Sequence, residues 1–322
     1  MASPSVNFAI AIPQLFGEPQ VDTALLQAFL TRAEGLGYHS VWVQEQILGR
    51  GAMLEPVTLL SYAAALTRTV RLGAAVLLTL LRNPVQLAKS LATLDQLSGG
   101  RLIVGVGIGS STGIYPAFGL SPEHRVRRFT EGIRLMKLLW TEERVTFGGE
   151  FWKLNKVAME PKPIQKPHLP LWFGAQHPAA LRRSVALGDG WIGAGSTSTA
   201  EFNECARQLR IFLTEAKRDP STLPIGKRVY LALDSNKARA LKRLQEWFGE
   251  RYGSVELAER VCLFGDTQEI INGLREIRDA GATLILLNPV FDELDHLDRL
   301  AHEVVPVLSG EPARSRNVTV SG

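Results

Sequence analysis

Short apolar runs alternate with amphipathic stretches along almost the whole chain. The runs have the length of buried strands, and the stretches between them place apolar residues three or four positions apart, as one face of a helix does. Repeated strand–helix units favour a closed parallel (β/α)8 TIM barrel, and an open doubly wound sheet is the alternative. The eight predicted strands are Phe8–Ile12, Ser40–Val43, Leu72–Leu78, Leu102–Val106, Pro170–Phe173, Gly190–Ile192, Arg228–Leu233 and Leu284–Leu287.

Residues 141–169 break this alternation. The sequence around Gly148-Gly149 has the period of a β-hairpin, and four prolines between Glu160 and Pro170 exclude a helix. We therefore predict an inserted hairpin and loop within a single barrel domain of residues 1–309. Residues 310–322 are polar and lack periodicity, which predicts a disordered tail.

The composition narrows the class of protein. The 322-residue chain is 45% hydrophobic and carries a net charge of +4, with its lysines and arginines scattered, so no nucleic-acid surface is expected. Cys205 and Cys262 lack CxxC partners and the histidines lack ligand spacing, which predicts free thiols and no metal site. We find no signal peptide and no apolar run long enough to span a membrane, so a cytoplasmic protein is expected.

A glycine-rich segment, Gly105–Gly109, follows the fourth predicted strand. It is not a dinucleotide fingerprint, because Ser110 and Thr112 stand where a third glycine is needed and no helix opens there. It continues into a G-x-S-x-G pattern, but the helix that a hydrolase nucleophile requires does not follow. Gly107 and Gly109 therefore predict close approach of a flat ligand, with tight packing as the alternative.

Several polar or small residues follow predicted strands, where barrels place their active sites. Glu45 and Gln46 are candidates for binding or protonating a substrate, and a solvated loop is the alternative. Two small-residue turns precede helices, so their backbone N–H groups suit one phosphate, unless they are ordinary helix caps. The predicted phosphate-site residues are Gly174, Ala175, Gln176, His177, Ala194, Gly195 and Ser196. The predicted substrate pocket contains Gln14, Phe16 and Tyr115.

The order of motifs resembles the luciferase-like superfamily, whose members are (β/α)8 barrels that use reduced FMN or the deazaflavin coenzyme F420. The resemblance covers about residues 6–307. It is carried by RLGAAVLLTLLRNPVQLAKSLATLDQLSGGRLIVGVGIGS at 71–110, by Arg128-Phe129-x-Glu131 and by Phe147-x-Gly149-x-Phe151-Trp152.

This resemblance implies roles for particular residues. A non-prolyl cis peptide that backs the flavin ring is expected at Ala74-Ala75 or Ala75-Val76, and the cofactor phosphate at the two small-residue turns. Many F420-dependent relatives have Asp-His where this chain has Glu45-Gln46, and the sugar-phosphate dehydrogenases have a glutamate at Ser110. Sugar-phosphate oxidation is therefore not expected.

Hydride transfer with coenzyme F420, to or from a small organic substrate, is the first expectation for the reaction. The alternatives are an FMNH2-dependent two-component monooxygenase acting with O2, and a flavin-binding protein without turnover. The resemblance also implies a homodimer and a separate flavin or F420 reductase as a partner. The sequence does not identify the substrate.

Overall fold

The computed structural model describes residues 6–17, 20–49, 51–109 and 112–309. The predicted tail at 310–322 lies outside the described residues. The strands are β1 Asn7–Ala11, β2 Leu15–Phe16, β3 Ser40–Val43, β4 Ala52–Met53, β5 Arg71–Leu78, β6 Leu102–Gly107, β7 Val145–Gly148, β8 Lys153–Val157, β9 Leu171–Gly174, β10 Gly190–Gly193, β11 Ile225–Leu233, β12 Leu263–Gly265 and β13 Leu284–Asn288. The helices are α1 Thr23–Gly35, α2 Pro56–Leu66, α3 Pro84–Ser98, α4 Arg125–Thr141, α5 Pro178–Leu187, α6 Thr199–Glu215, α7 Lys237–Tyr252, α8 Glu256–Val261, α9 Thr267–Asp279, α10 Glu293–Arg299 and α11 Val305–Ser309.

The main sheet has the strand order β10-β9-β6-β5-β3-β1-β13-β11-β12, and β10 also pairs with β11. This extra pairing joins the eight predicted strands into a closed ring, so the predicted (β/α)8 barrel is confirmed and the open sheet is wrong. The ladders β1–β13, β5–β6, β6–β9, β10–β11 and β11–β13 are all parallel. β12 extends β11 outside the ring.

Contacts between residues divide the chain into two compact units. Within the described residues, the first unit comprises 6–13, 24–41 and 175–309. The second comprises Gln14–Thr23 and Trp42–Gly174. Each contributes its own group of candidate site residues, and the two groups are described separately below.

The predicted excursion is present in the second unit as the antiparallel hairpin β7–β8 and a proline-rich loop. Glu131 on α4 accepts hydrogen bonds from the backbone N–H groups of Glu150, Phe151 and Trp152, at 2.9 to 3.0 Å. A Cβ at Gly149 would lie 2.0 Å from Glu131 Oε1, so this turn requires glycine. The motifs Arg128-Phe129-x-Glu131 and Phe147-x-Gly149-x-Phe151-Trp152 therefore have a structural role, because they attach the hairpin to α4.

The fully buried Asp95 anchors the proline-rich loop in a similar way. It accepts hydrogen bonds from the backbone N–H groups of Ile164 and Gln165, and from Gln165 Nε2 at 2.8 Å. The carboxylate thereby satisfies loop N–H groups that have no strand partner. The aspartate of Leu94-Asp95-Gln96-Leu97, part of the segment 71–110, therefore serves to attach the loop to α3.

Some predicted boundaries are wrong. The spacing of apolar residues predicts a helix over Glu123–Trp140, but α4 starts at Arg125, because His124 has a φ of 58° and ends the preceding turn. The same spacing predicts a closing helix over Leu294–Val307, which is interrupted by a π-helical turn, Leu300–Val304. The sequence pattern also missed the short elements β2, β4, α8 and β12.

Candidate functional site

The centre of β5 contains a non-prolyl cis peptide bond between Ala75 and Val76, the second of the two predicted positions. The register with β6 shifts between Ala74 and Leu77. Ala75 and Val76 are half-buried, whereas Ala74 and Leu77 are buried. An apolar, backbone-rich surface is therefore left partly open in the middle of this strand.

Glycines on the neighbouring strands make room for Val76. A Cβ at Gly107 would lie 2.7 Å from Val76 Cγ2, and a Cβ at Gly174 would lie 3.1 Å from Val76 Cγ1. Gly109 has a φ of +81°, which favours glycine, and a Cβ there would lie 3.1 Å from Leu78. Tight packing thus accounts for Gly107 and Gly174, and their contact with a flat ligand stays a prediction.

Glu45 is held in an ion pair. Its side chain is 1% exposed, and it accepts hydrogen bonds from Arg82 Nη1 and from the backbone N–H of Leu78. Arg82 Nη2 also donates to Glu55 Oε1 at 2.7 Å. Burial raises the pKa of Glu45 despite the nearby positive charge of Arg82. Because both carboxylate oxygens are bonded, the geometry favours positioning of the Leu78–Arg82 segment over direct proton transfer.

The pKa of Glu55, the second carboxylate bonded to Arg82, shifts in the opposite direction to that of Glu45. Burial alone would raise the pKa of Glu55, but hydrogen bonds from Thr58 and Arg82 outweigh burial and lower it. Glu55 also caps α2 by accepting from the Thr58 N–H at 2.7 Å.

Gln46, the second predicted catalytic residue, is half-buried, and a Cβ at Gly49 would lie 1.6 Å from its Nε2. Gln46 therefore lies against the loop that follows β3.

The predicted substrate-pocket residues are all buried. Gln14 donates to the carbonyl oxygens of Gln44 and Leu54, at 2.8 and 2.6 Å, and accepts from the Gln44 N–H at 2.7 Å. Phe16 is 8% exposed on β2, and Tyr115 is 2% exposed and donates to the Ile108 carbonyl. Burial raises the pKa of Tyr115. Gln14 is therefore a brace between loops, and substrate contact by these three residues stays a prediction.

In the first unit, the turn before α5 caps itself. His177 Nδ1 accepts from the Ala179 N–H at 3.2 Å, and its carbonyl accepts from Ala180. Pro178 has no N–H to offer. Trp191 Nε1 donates to the Ala175 carbonyl at 2.8 Å, which fixes the turn against β10. Any anion here must therefore be bound by N–H groups of the turn itself, at Gln176 or His177.

The turn before α6 is also capped from within. Ser198 and Glu201 form a capping box, in which each side chain accepts from the other's backbone N–H. The alternative prediction, that this turn is an ordinary helix cap, is thus confirmed for α6. The Glu201 carboxylate occupies the position where an anion would bind the N-terminus of this helix. Within the described part of the chain, the N–H groups of Gly195 and Ser196 have no hydrogen-bond partner. These two groups remain available to a ligand.

Two consecutive cationic residues on β11 lie at this second turn, and the sequence interpretation did not single them out. Lys227 is 2% exposed and donates to oxygens of Ala194 and Thr197. Arg228 is 9% exposed, and a Cβ at Gly195 would lie 3.3 Å from its Nε. A Lys-Arg pair within an otherwise apolar buried strand is the signal that could have identified them.

The described residues contain no group of three or more acidic, histidine or cysteine side chains that could hold a metal ion. None of their helices is both long and apolar enough to cross a membrane.

Comparison with known proteins places these features in a family. The profile of the luciferase-like monooxygenases matches residues 8–284. An F420-dependent glucose-6-phosphate dehydrogenase from Kineococcus radiotolerans is 29% identical over 313 residues, which cover 88% of this chain and 92% of that protein. An uncharacterised Mycobacterium tuberculosis protein, Rv0953c, is 41% identical over 167 residues, covering 52% of this chain and 58% of that protein.

Solved structures share the fold. A monooxygenase, RslO1 from Streptomyces bottropensis, superposes with a TM-score of 0.81 at 27% identity, covering 94% of this chain and 99% of its own. An F420-dependent secondary alcohol dehydrogenase bound to an F420–acetone adduct superposes with a TM-score of 0.82 at 20% identity, covering 93% and 98%. At that identity, the second comparison supports the fold alone.

Proposed function

Because the chain belongs to the luciferase-like monooxygenase family, we propose that it is an oxidoreductase that uses coenzyme F420 to transfer a hydride to or from a small organic substrate. The observation that carries this proposal is the similarity to an F420-dependent dehydrogenase over almost the full length of both chains. The family predicted from the sequence motifs is confirmed.

The second unit offers residues that fit a flat ring, and the first unit offers residues that fit a phosphate. The half-buried Ala75 and Val76, beside Gly107 and Gly174, offer an apolar surface with little side-chain bulk, as a flat ring requires. The N–H groups of Gly195 and Ser196, which have no partner among the described residues, offer donors, and the cationic Lys227 and Arg228 offer positive charge, as a phosphate requires. We propose Ala74, Ala75, Val76, Gly107, Gly109 and Gly174 for the ring. We propose Ala175, Gln176, His177, Ala194, Gly195 and Ser196 for the phosphate.

When bound, the cofactor would supply the hydride chemistry, and the protein would bind and orient it. Ala75 and Val76 would support one face of the ring. Glu45 and Arg82 would hold the chain between Leu78 and Arg82 in place. The Glu45 carboxylate is bonded to Leu78 and Arg82 in this structure, so we do not propose it as the proton donor.

Glucose 6-phosphate is not proposed as the substrate. Glu45-Gln46 replaces the Asp-His pair of the sugar-phosphate dehydrogenases, and Glu45 is engaged by Arg82 and Leu78. The proposed substrate is another small organic molecule. A homodimer, a separate reductase partner and a cytoplasmic location remain part of the proposal.

A second candidate is a monooxygenase that uses reduced FMN and O2. It is favoured by the 27% identity to the monooxygenase RslO1 over 94% of this chain. A third candidate is a flavin-binding protein without turnover.

A side-by-side titration tests these candidates. The purified protein is titrated with F420 and with FMN, each oxidised and reduced, and binding is followed by cofactor fluorescence. Tighter binding of F420, with substrate-dependent absorbance change under anaerobic conditions, supports the proposal. Exclusive binding of FMN together with O2 consumption supports the monooxygenase instead. Binding without turnover, across a screen of unsaturated, carbonyl and imine substrates, supports the flavin-binding protein.

A further inference from the structure

Lys227 reaches from β11 into the turn that precedes α6. Its side-chain nitrogen donates to the Ala194 carbonyl at 2.6 Å, to the Thr197 carbonyl at 2.7 Å and to Thr197 Oγ1 at 2.8 Å. Its stem passes Gly193, where a Cβ would lie 3.4 Å from Lys227 Cδ and 2.8 Å from Phe202. A side chain at Gly193 would therefore clash with Phe202 and contact the stem of Lys227.

These bonds fix the direction of the turn's peptide groups. Lys227 binds the carbonyl oxygens at both ends of the turn, and the Thr197 hydroxyl also donates to Ala194 at 2.7 Å. Because Lys227 holds the Ala194 carbonyl, the Gly195 N–H of the same peptide group points the opposite way. In the described part of the chain, neither this N–H nor that of Ser196 has a hydrogen-bond partner. Adjacent free backbone N–H groups form a nest that suits an anion.

The charge around the turn also calls for an anion. Among the described residues, neither Lys227 nor Arg228 forms an ion pair with a carboxylate. Arg228 donates to Asn288 Oδ1 at 2.8 Å and to the Tyr230 hydroxyl, both of which are neutral acceptors. Buried cations are normally paired, because desolvation of an unpaired charge is costly. A bound anion would supply the missing negative charge.

We propose that Lys227 is a positioning residue that builds the anion-binding turn at 194–197 and gives the protein its preference for a cofactor that carries a phosphate group. This inference rests on the proposed function, and it assigns the phosphate preference to a side chain behind the turn. Lys227 acts through the peptide groups of the turn and does not contact the phosphate itself.

The protonation of Lys227 agrees with this arrangement. Burial, and after it the positive charge of Arg228, lower the pKa of Lys227, which is about 7. Glu201 and Cys205 on α6, and Cys262 before β12, act in the opposite direction. All three Nζ hydrogens have oxygen acceptors, which is the bonding pattern of the ammonium form. An anion at the turn would stabilise that form, so binding should be accompanied by proton uptake.

The test compares F420 with the ribityl deazaflavin that lacks its phosphate and the side chain beyond the phosphate. F420 and the phosphate-free ribityl deazaflavin are titrated into the parent protein, Lys227→Met, Lys227→Arg and the control Lys242→Met, which removes a side chain that is 77% exposed. We expect the parent and the control to prefer F420. Lys227→Met should lose at least about tenfold in affinity for F420 while binding the phosphate-free chromophore within about twofold of the parent. Thr197→Val, which removes one of the three acceptors, should show a smaller loss of the same kind and serves if Lys227→Met does not fold.

The outcomes separate the two proposals. If the parent prefers F420 and Lys227→Met and Thr197→Val keep the full preference, the role of Lys227 is overturned and the proposed function stands. If both ligands lose affinity equally in these variants, Lys227 is a general structural residue and the inference is also overturned. If the parent binds neither ligand, the proposed function fails and this inference fails with it.

Discussion

Glu45 and Arg82 form a buried ion pair that ties the residues after β3 to the segment after β5. The side chain of Glu45 is 1% exposed and that of Arg82 is 15% exposed. The same Glu45 carboxylate also accepts from the Leu78 N–H, at the end of the strand that carries Ala75 and Val76. Glu45, predicted to be catalytic, is thus bonded to two residues of this segment, and its catalytic role stays a prediction.

Glu45→Gln should therefore lower stability more than it changes chemistry. The amide lacks the charge opposite Arg82, and its NH2 group would face the N–H of either Leu78 or Arg82. We expect this to cost about 1–3 kcal/mol of stability. We expect a lower melting temperature, a loss in kcat of no more than about tenfold, and an unchanged pH profile of kcat. Glu55→Gln is the matched control, because Glu55 shares Arg82 but is more exposed. A loss in kcat of more than about a hundredfold, with one limb of the pH profile removed, would assign proton transfer to Glu45.

Gly107→Ala should disturb the proposed ring surface. The new Cβ would lie 2.7 Å from Val76 Cγ2, so Val76 must move. We expect about 1–3 kcal/mol of lost stability and weaker binding of the cofactor chromophore, measured by denaturant unfolding and by fluorescence titration. The double variant Gly107→Ala/Val76→Ala should recover part of the stability, because it removes the clashing methyl group.

Gly148→Ala is the control for that prediction, since a Cβ there would have no neighbour within 4 Å. If Gly107→Ala matches Gly148→Ala in both stability and chromophore affinity, the close packing around Val76 does not shape the site.

Ser196→Asp should weaken cofactor binding at least about tenfold, since about 1.4 kcal/mol of repulsion suffices. A carboxylate at this half-buried position would lie in the turn whose N–H groups are proposed to bind the phosphate. The fold should survive, which circular dichroism and the melting temperature check. Ser221→Asp, on an exposed turn, is the control. Parental affinity of Ser196→Asp for F420 and FMN would move the phosphate site elsewhere.

The stability of the protein should respond to pH through Lys227. Its pKa is lowered to about 7 in the folded state, whereas an unfolded lysine titrates near 10.5. Between these values the unfolded chain binds more protons, so the free energy of unfolding gains from Lys227 as the pH rises from about 7 to about 10.5. Below pH about 7 Lys227 is charged in both states but buried only in the folded one, so its cost relative to a neutral side chain is greatest there.

Urea unfolding of the parent and Lys227→Met, at about pH 6, 8 and 10, measures the contribution of Lys227 to the free energy of unfolding. The stability of Lys227→Met relative to the parent should be highest at about pH 6 and should fall as the pH rises. Lys242→Met, whose side chain is 77% exposed, should show no such trend. A difference between Lys227→Met and the parent that stays constant with pH would mean that Lys227 titrates at an ordinary value.

The alternation of apolar runs and amphipathic helices determined the barrel, because each strand must be apolar on both faces to be buried and each helix must cover it. Local signals also determined the helix starts at Pro56, Pro84 and Pro178, since proline fits the first turn of a helix. The motif order identified the family, and it placed the cis peptide within one position of Ala75–Val76.

Only the tertiary structure decided what the candidate side chains touch. Glu45, Gln14 and Tyr115 lie in segments that follow strands. A sequence cannot tell whether a polar group in such a segment is exposed or bonded to Arg82, Leu54 or Ile108. Ser198 was found to cap α6 together with Glu201. Lys227 lies at the turn because β11 pairs with β10, although the paired residues are more than thirty positions apart in the sequence. The local pattern fixes which residues form strands and helices, whereas the partners of a buried charge depend on which strands become neighbours.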